Sequence, residues 1–145
     1  MKKILVFILS TALCTSNLLS NDYRSKLDKA WTEKDYTEKL IEELEKKNTK
    51  KTRGFLAVAY IMKSNHAQMP WTKLKYFYKG KKLLERSIAE SPNNIELIYY
   101  RYEIQRRIPK GLNYNHIKHD KELLEAFLKN IKNKNRKPKT FLYPD

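Results

Sequence analysis

The chain is poor in the residues that staple or bend small proteins: its 145 residues include 1 Cys, 3 Gly and 5 Pro. A lone cysteine excludes a disulfide scaffold, and so little glycine and proline excludes collagen-like and linker sequences. No glycine-rich phosphate loop, GxSxG elbow or HExxH pair occurs. The common signatures of phosphoryl transfer, serine hydrolysis and zinc proteolysis are therefore missing. The one long apolar run is N-terminal and short for a bilayer span, which excludes a multi-span membrane protein. Acidic residues are also scarce. The 16 Asp and Glu face 31 Lys and Arg, for a formal charge of +15.

What is present starts with an export signal. Lys2 and Lys3 give a positive start, and Ile4 to Leu13 form an apolar core of about ten residues. Small and polar residues follow, so cleavage is expected after Ser20 or after Ser16, with residues 1–20 as the signal peptide. Cys14 invites the question of a lipid anchor. Leu13 before it is larger than the small residue a lipoprotein signal wants, which favours a cysteine discarded with the signal. The protein is then periplasmic or extracellular, and its mature part has no thiol chemistry.

Charge is unevenly spread along the mature chain. Residues 21–47 hold 7 basic and 8 acidic side chains, whereas residues 48–145 hold 22 and 8. The expectation is a near-neutral, solvated helical pair followed by a strongly basic body. Lys outnumbers Arg 24 to 7, a bias that genome composition can also produce, so the charge points only weakly to a partner.

Apolar residues recur with helical period almost throughout. Tyr23, Leu27, Ala30 and Trp31 share one face of a first segment; Tyr36, Leu40, Ile41 and Leu44 share one of a second, about 35–47. Residues 48–51 read as a loop. Phe55, Val58, Ala59, Ile61 and Met62 mark a third helix ending near His66. Pro70 suits the first turn of a long fourth helix, to about Glu90, because its missing N–H is not needed there. Ser91-Pro92-Asn93-Asn94 ends it, with Asn94 as N-cap of a fifth helix running to about Arg107. Pro109 and Gly111 stop that one, 110–117 is a turn, and 120–132 is a sixth helix with Leu123, Leu124, Phe127 and Leu128 inward. The helical domain thus covers 21–132. Residues 133–145 form a basic, partly disordered tail with an apolar end, Phe141-Leu142-Tyr143-Pro144.

Gly80, Leu84, Ser87 and Pro92 sit at the spacing of the second half of a tetratricopeptide unit. The stretch Pro70-x-x-Lys73-x-x-Tyr76-Phe77-x-x-Gly80-Lys81-x-Leu83-Leu84-Glu85 adds to this. So do Tyr100-Arg101, Gln105, Pro109, Gly111, Tyr114, Ile117 and Asp120. On these residues the chain, over about 55–124, resembles an uncharacterised family of short exported bacterial helical proteins with tetratricopeptide-like hairpins. The resemblance implies export and stacked helices, and it implies no activity.

Several constellations could carry chemistry. Lys73, Phe77, Gly80, Lys81 and Leu84 fall along one side of the fourth helix. Arg101 and Gln105 are one turn apart on the fifth, with Tyr114 and Asp120 beyond it. In one reading Arg101 pairs with Asp120, Gln105 bonds the backbone of the 109–114 turn, and the network pins helix six to helix five. In the other, Lys73, Lys81 and Arg101 line an anion pocket, with Gln105, Tyr114 and Asp120 around it. Packing is the favoured reading. His116 and His119, three apart beside Asp120, could share a metal, but exposed loop histidines are the default and no metal is expected. Glu103 and Glu125 are carboxylates with no evident partner for acid–base work. The basic and aromatic interleaving of residues 73–82 could suit nucleic acid, which export disfavours; an amphipathic helix explains the same letters.

The expectation is an all-α fold, five to six helices in antiparallel hairpins stacked in tetratricopeptide-like fashion. The expected function is non-enzymatic: an exported module holding a protein or peptide partner, without cofactor. The alternative is a basic surface that binds anionic envelope components, lipid or lipopolysaccharide.

Overall fold

The computed structural model of the chain describes residues 22–133, which are almost entirely helical. The expected signal peptide with Cys14, and the tail from residue 134 on, lie outside the described residues. Helix α1 covers 22–32, α2 Lys34–Lys47, α3 Lys50–His66, α4 Pro70–Glu90, α5 Ile95–Arg107 and α6 Ile117–Asn133, with a single 3-10 turn at Lys110–Leu112. The fold is all-α, and successive helices pair as antiparallel hairpins in a stack. None of the helices among the described residues is long and apolar enough to cross a membrane.

Local chemistry sets most boundaries. α3 begins two residues inside the expected 48–51 loop because Thr49 and Thr52 form a reciprocal capping box. The turn before it uses Asn48 in the left-handed region, φ 32°, a conformation asparagine tolerates. Pro70 opens α4, and the Asn94 side chain accepts from the Glu96 and Leu97 N–H groups, both as the sequence indicates. α5 stops at Arg107 because Ile108, held extended before Pro109, leaves the helical region. The left-handed residue of the next turn is Asn113, φ 49°, while Gly111 has no positive φ. α6 starts at Ile117, three residues before the expected Asp120, and the Asp120 N–H closes its first turn on the His116 carbonyl at 2.9 Å.

α3 is the centre of the fold. Every residue from Gly54 to Met62 is buried, the pattern of a helix covered on all sides. α4 approaches it closely at Gly80, where a Cβ would stand 2.7 Å from the Ala57 carbonyl oxygen and 2.6 Å from Ile61 Cγ1. Only a residue without Cβ allows that separation. Gly54 faces α5, whose Leu97 side-chain tip occupies the space a Cβ would need. α1 and α2 are not a solvated appendage. Tyr23, Leu27, Ala30, Leu40, Ile41 and Leu44 are all buried in the cluster around α3. Tyr23 stacks on Phe55 with centroids 5.4 Å apart, and Arg24 pairs with Glu96 at the start of α5. The Thr37 hydroxyl donates to the Ala30 carbonyl at 2.6 Å and closes the α1–α2 corner.

Two apolar expectations are corrected. Trp31 is 39% exposed, because it follows Ala30 at the end of α1 and lies under the Arg107 guanidinium rather than in the core. On α6, Leu123 and Leu124 are only half-buried, and Phe127 and Leu128 are exposed. α6 packs chiefly on α5. Among the described residues no helix lies over its far side, so its apolar stripe is only partly covered.

Candidate functional site

Four of the six singled-out residues come together, with one unforeseen partner. Arg101, on the inward face of α5, meets Asp120 in the first turn of α6. Its Nε donates to Oδ2 at 2.9 Å and its Nη2 to Oδ1 at 2.5 Å, a two-pronged pair with Asp120 fully buried. The third guanidinium nitrogen, Nη1, donates to Glu85 on α4 at 2.8 Å. Gln105, one turn along α5, donates from Nε2 to Asp120 Oδ2 at 2.8 Å and accepts the His116 N–H at 2.6 Å. The Tyr114 hydroxyl donates to the other Glu85 oxygen at 2.6 Å. Among the described residues every buried side-chain nitrogen and oxygen has a partner.

Electrostatics follow from this closure. Burial disfavours the Arg101 charge, but Asp120 and Glu85 outweigh it and hold its pKa above the ordinary value. Burial pushes the Tyr114 phenol upward, and its bond to the Glu85 carboxylate pushes it further. With each guanidinium nitrogen bonded to a carboxylate and the residue 5% exposed, Arg101 is committed to the cluster rather than presented to a ligand. The cluster locks α4, α5, the 109–116 segment and α6 together.

The anion pocket is therefore corrected. Lys73 is exposed, two turns before Lys81 on α4, and about 12 Å from it along the helix axis. Lys81 turns to the loop, where its Nζ donates to the Asn113 carbonyl at 3.0 Å and lies 4.7 Å from the Tyr114 ring centre. Its charge stabilises the carbonyl-rich left-handed turn. Gln105 is corrected too: it bonds the backbone at His116, just past the expected 109–114 turn. Glu85 was the residue missed. It is the first acidic side chain of α4 and stands one turn after Lys81, a position that would suggest a partner on a neighbouring helix.

His116 and His119 are both exposed, and among the described residues no group of three or more His, Cys, Asp or Glu is placed to hold a metal. Glu103 instead binds its own helix neighbours Arg106 and Arg107, at 2.9 and 3.4 Å. Glu125 lies 3.7 Å from Lys121 on the exposed side of α6.

A second site was not legible as a motif. A semi-open cavity of about 410 Å³ lies over the C-terminal halves of α1, α3 and α5. Its floor is apolar: Ile61 and Met62 from α3, Phe77 from α4 and Ile104 from α5. Its rim is polar, with Asp28 and Thr32 of α1, Asn65 of α3 and Arg107 of α5. Trp31 forms one wall, and the Arg107 guanidinium lies 4.9 Å from its ring centre. α1 and α5 are tied together near their starts by Arg24 and Glu96, and near their ends the Arg107 guanidinium stacks on Trp31. An apolar floor with a few polar groups at the edge is the usual form of a binding site.

In comparisons with known proteins, no protein-family model matches the chain, and no match is found among curated proteins or among solved structures.

Proposed function

We propose that this chain is an exported, non-enzymatic helical module that holds an apolar side chain of a protein or peptide partner in the α1–α3–α5 groove. The observation that carries the reading is the position of that cavity. It lies on the first helices of three successive hairpins, where a stacked helical array presents its inner face. The floor supplies apolar area, and Asp28 and Arg107 place charges of both signs at the rim. The closed Arg101–Asp120 cluster gives the stack the rigidity that a preformed groove needs. Export rests on the N-terminal sequence, Lys2-Lys3 and the apolar 4–13 run.

Affinity capture from cell-envelope extract tests the reading, with washes at low and then high salt. The native protein is compared with a variant carrying Thr32→Arg and Asn65→Trp, which crowds the rim from two exposed positions. A defined protein retained through high salt by the native chain, and lost by an equally stable variant, is the expected result. Identical retention by both variants, or release of everything at high salt, would sink the groove reading.

A further inference from the structure

We infer that the outward face of α4 is a docking surface for an anionic lipid bilayer. Trp71, Leu74 and Tyr78 recur at i, i+3 and i+7 on that helix and are 66%, 44% and 49% exposed. Met69, just before the helix, is 50% exposed and extends the same band. Their spacing places them within one arc of the helix, beside the stripe of Phe77, Gly80 and Leu84 that is buried against the core, and the Tyr78 ring meets Phe77 edge-on at 5.4 Å. An exposed band of large apolar and aromatic side chains at helical spacing is unusual on a soluble surface. Tyrosine and tryptophan favour the boundary between water and lipid, where an apolar ring and a polar edge are both accommodated.

The charge beside the band fixes the sign of the partner. Lys75 and Lys82 follow the aromatic arc on its flank, and both are exposed. Neither forms an ion pair with a described residue. No acidic residue occurs between His66 and Glu85 in the sequence. Glu85 itself is turned inward, to Arg101 and Tyr114. Anionic headgroups therefore meet the ammonium groups of Lys75 and Lys82, which pair with no described carboxylate, while Lys79 one turn from Lys75 is held by Glu45 of α2 at 3.7 Å. The lysine stems can lie along the apolar band while their heads reach outward. A helix of this kind rests in the interface with its apolar side chains about 5–10 Å deep. A nucleic acid would meet the same charge. Leu74 and Met69, however, offer it no stacking surface, and they gain by leaving water in a lipid interface.

The surface is distinct from the groove, to which α4 contributes only Phe77. Failure of one proposal therefore leaves the other standing. The test uses the full chain carrying Trp31→Phe, so that Trp71 is the sole tryptophan of the 2 present. Circular dichroism checks that the fold is retained. Vesicles of phosphatidylcholine alone are compared with vesicles containing one-third phosphatidylglycerol, at low and high salt. The apolar run 4–13 can itself bind lipid, so the readout is Trp71 rather than bulk partitioning. The expected result is a blue shift of Trp71 emission and quenching by brominated lipid, with anionic vesicles only. Lys75→Gln with Lys82→Gln should weaken that response about thirtyfold at low salt. Leu74→Ala should weaken it with either lysine present. Three outcomes would overturn the proposal: Trp71 emission unchanged while the chain sediments with vesicles, an equal response to neutral lipid, or a response to single-stranded oligonucleotide that exceeds the response to anionic vesicles.

Discussion

α3 and α6 are helices of equal length, 17 residues each, held in place by opposite means. α3 buries an unbroken run from Gly54 to Met62, nearly all apolar. α6 buries one residue among those described, Asp120, and leaves Phe127 and Leu128 exposed. The first arrangement is non-directional, spreads over many contacts and tolerates small shifts. The second rests on a few directional bonds in a place where an unpaired charge is expensive. Apolar burial thus builds the body of the molecule, and one polar cluster decides where its last helix sits. The same contrast separates the two candidate sites. The polar cluster is satisfied and closed, whereas the apolar groove is open and unfilled by any described side chain.

Alkali should erase the difference, with the largest effect. Tyr60 in α3 and Tyr114 beside α6 both have raised pKa values, through burial first and then a carboxylate bond, to Glu45 and Glu85 respectively. A phenol whose folded pKa lies above its unfolded value contributes stability that is full below the unfolded pKa. That stability is lost as pH rises from the ordinary value of 10.0 toward the folded one. Lys26 is raised as well, by Glu43 and Asp22 against the opposing effect of burial, and acts in the same direction. Thermal melts followed from pH 8 to 12 should show a flat plateau and then a steep fall above about pH 10, with α3 and α6 amides losing protection together. A plateau extending to pH 12 would contradict the burial of these phenols.

Removing one partner of the cluster should break α6 away selectively. Asp120→Ala leaves the Arg101 charge buried without its main partner and should cost about 3–5 kcal/mol in denaturant unfolding. Hydrogen exchange would locate the loss in α6 and the 109–116 segment before α3. Arg101→Met with Asp120→Leu should recover much of that loss, because apolar side chains of similar size can replace a buried pair. A double variant as unstable as the single one would mean that Glu85 and Gln105 carry the attachment instead.

The smallest effect sharpens the comparison from the apolar side. Phe127→Ser on α6 removes an aromatic ring that is already 36% exposed, and should change stability by about 0.5 kcal/mol or less. Leu44→Ala, at a fully buried position of the α3 cluster, gives the reference at about 2–5 kcal/mol. Comparable losses from the two would show that α6 buries more of its apolar stripe than its partner helix α5 alone can cover.

Much of the fold was legible because its signals are local. Pro70 and Asn94 act through hydrogen bonds within a few residues, and helical spacing marks the buried side of α1 to α4 without reference to anything distant. The Arg101–Asp120 pair was legible in outline, since Arg101 and Gln105 share one face and a buried arginine needs a carboxylate. Glu85 was not, because its place in the cluster depends on how α4 crosses toward α5. Lys73 was misplaced for a related reason. Two lysines at i and i+8 share a helix side, but the neighbouring helix covers only part of its length. Trp31, Phe127 and Leu128 failed in the same way: periodicity says which residues face alike, and not whether anything stands opposite.

The sequence by itself determined the helices, the first-turn proline of α4, the Asn94 cap and the excess of positive charge, because each depends on residues near one another in the chain or on simple counting. Only the tertiary structure decided which helix lies at the centre, which carboxylates close around Arg101, and where a groove opens. Those depend on contacts between residues far apart in sequence, where a shift of a few ångströms turns a filled interface into a cavity.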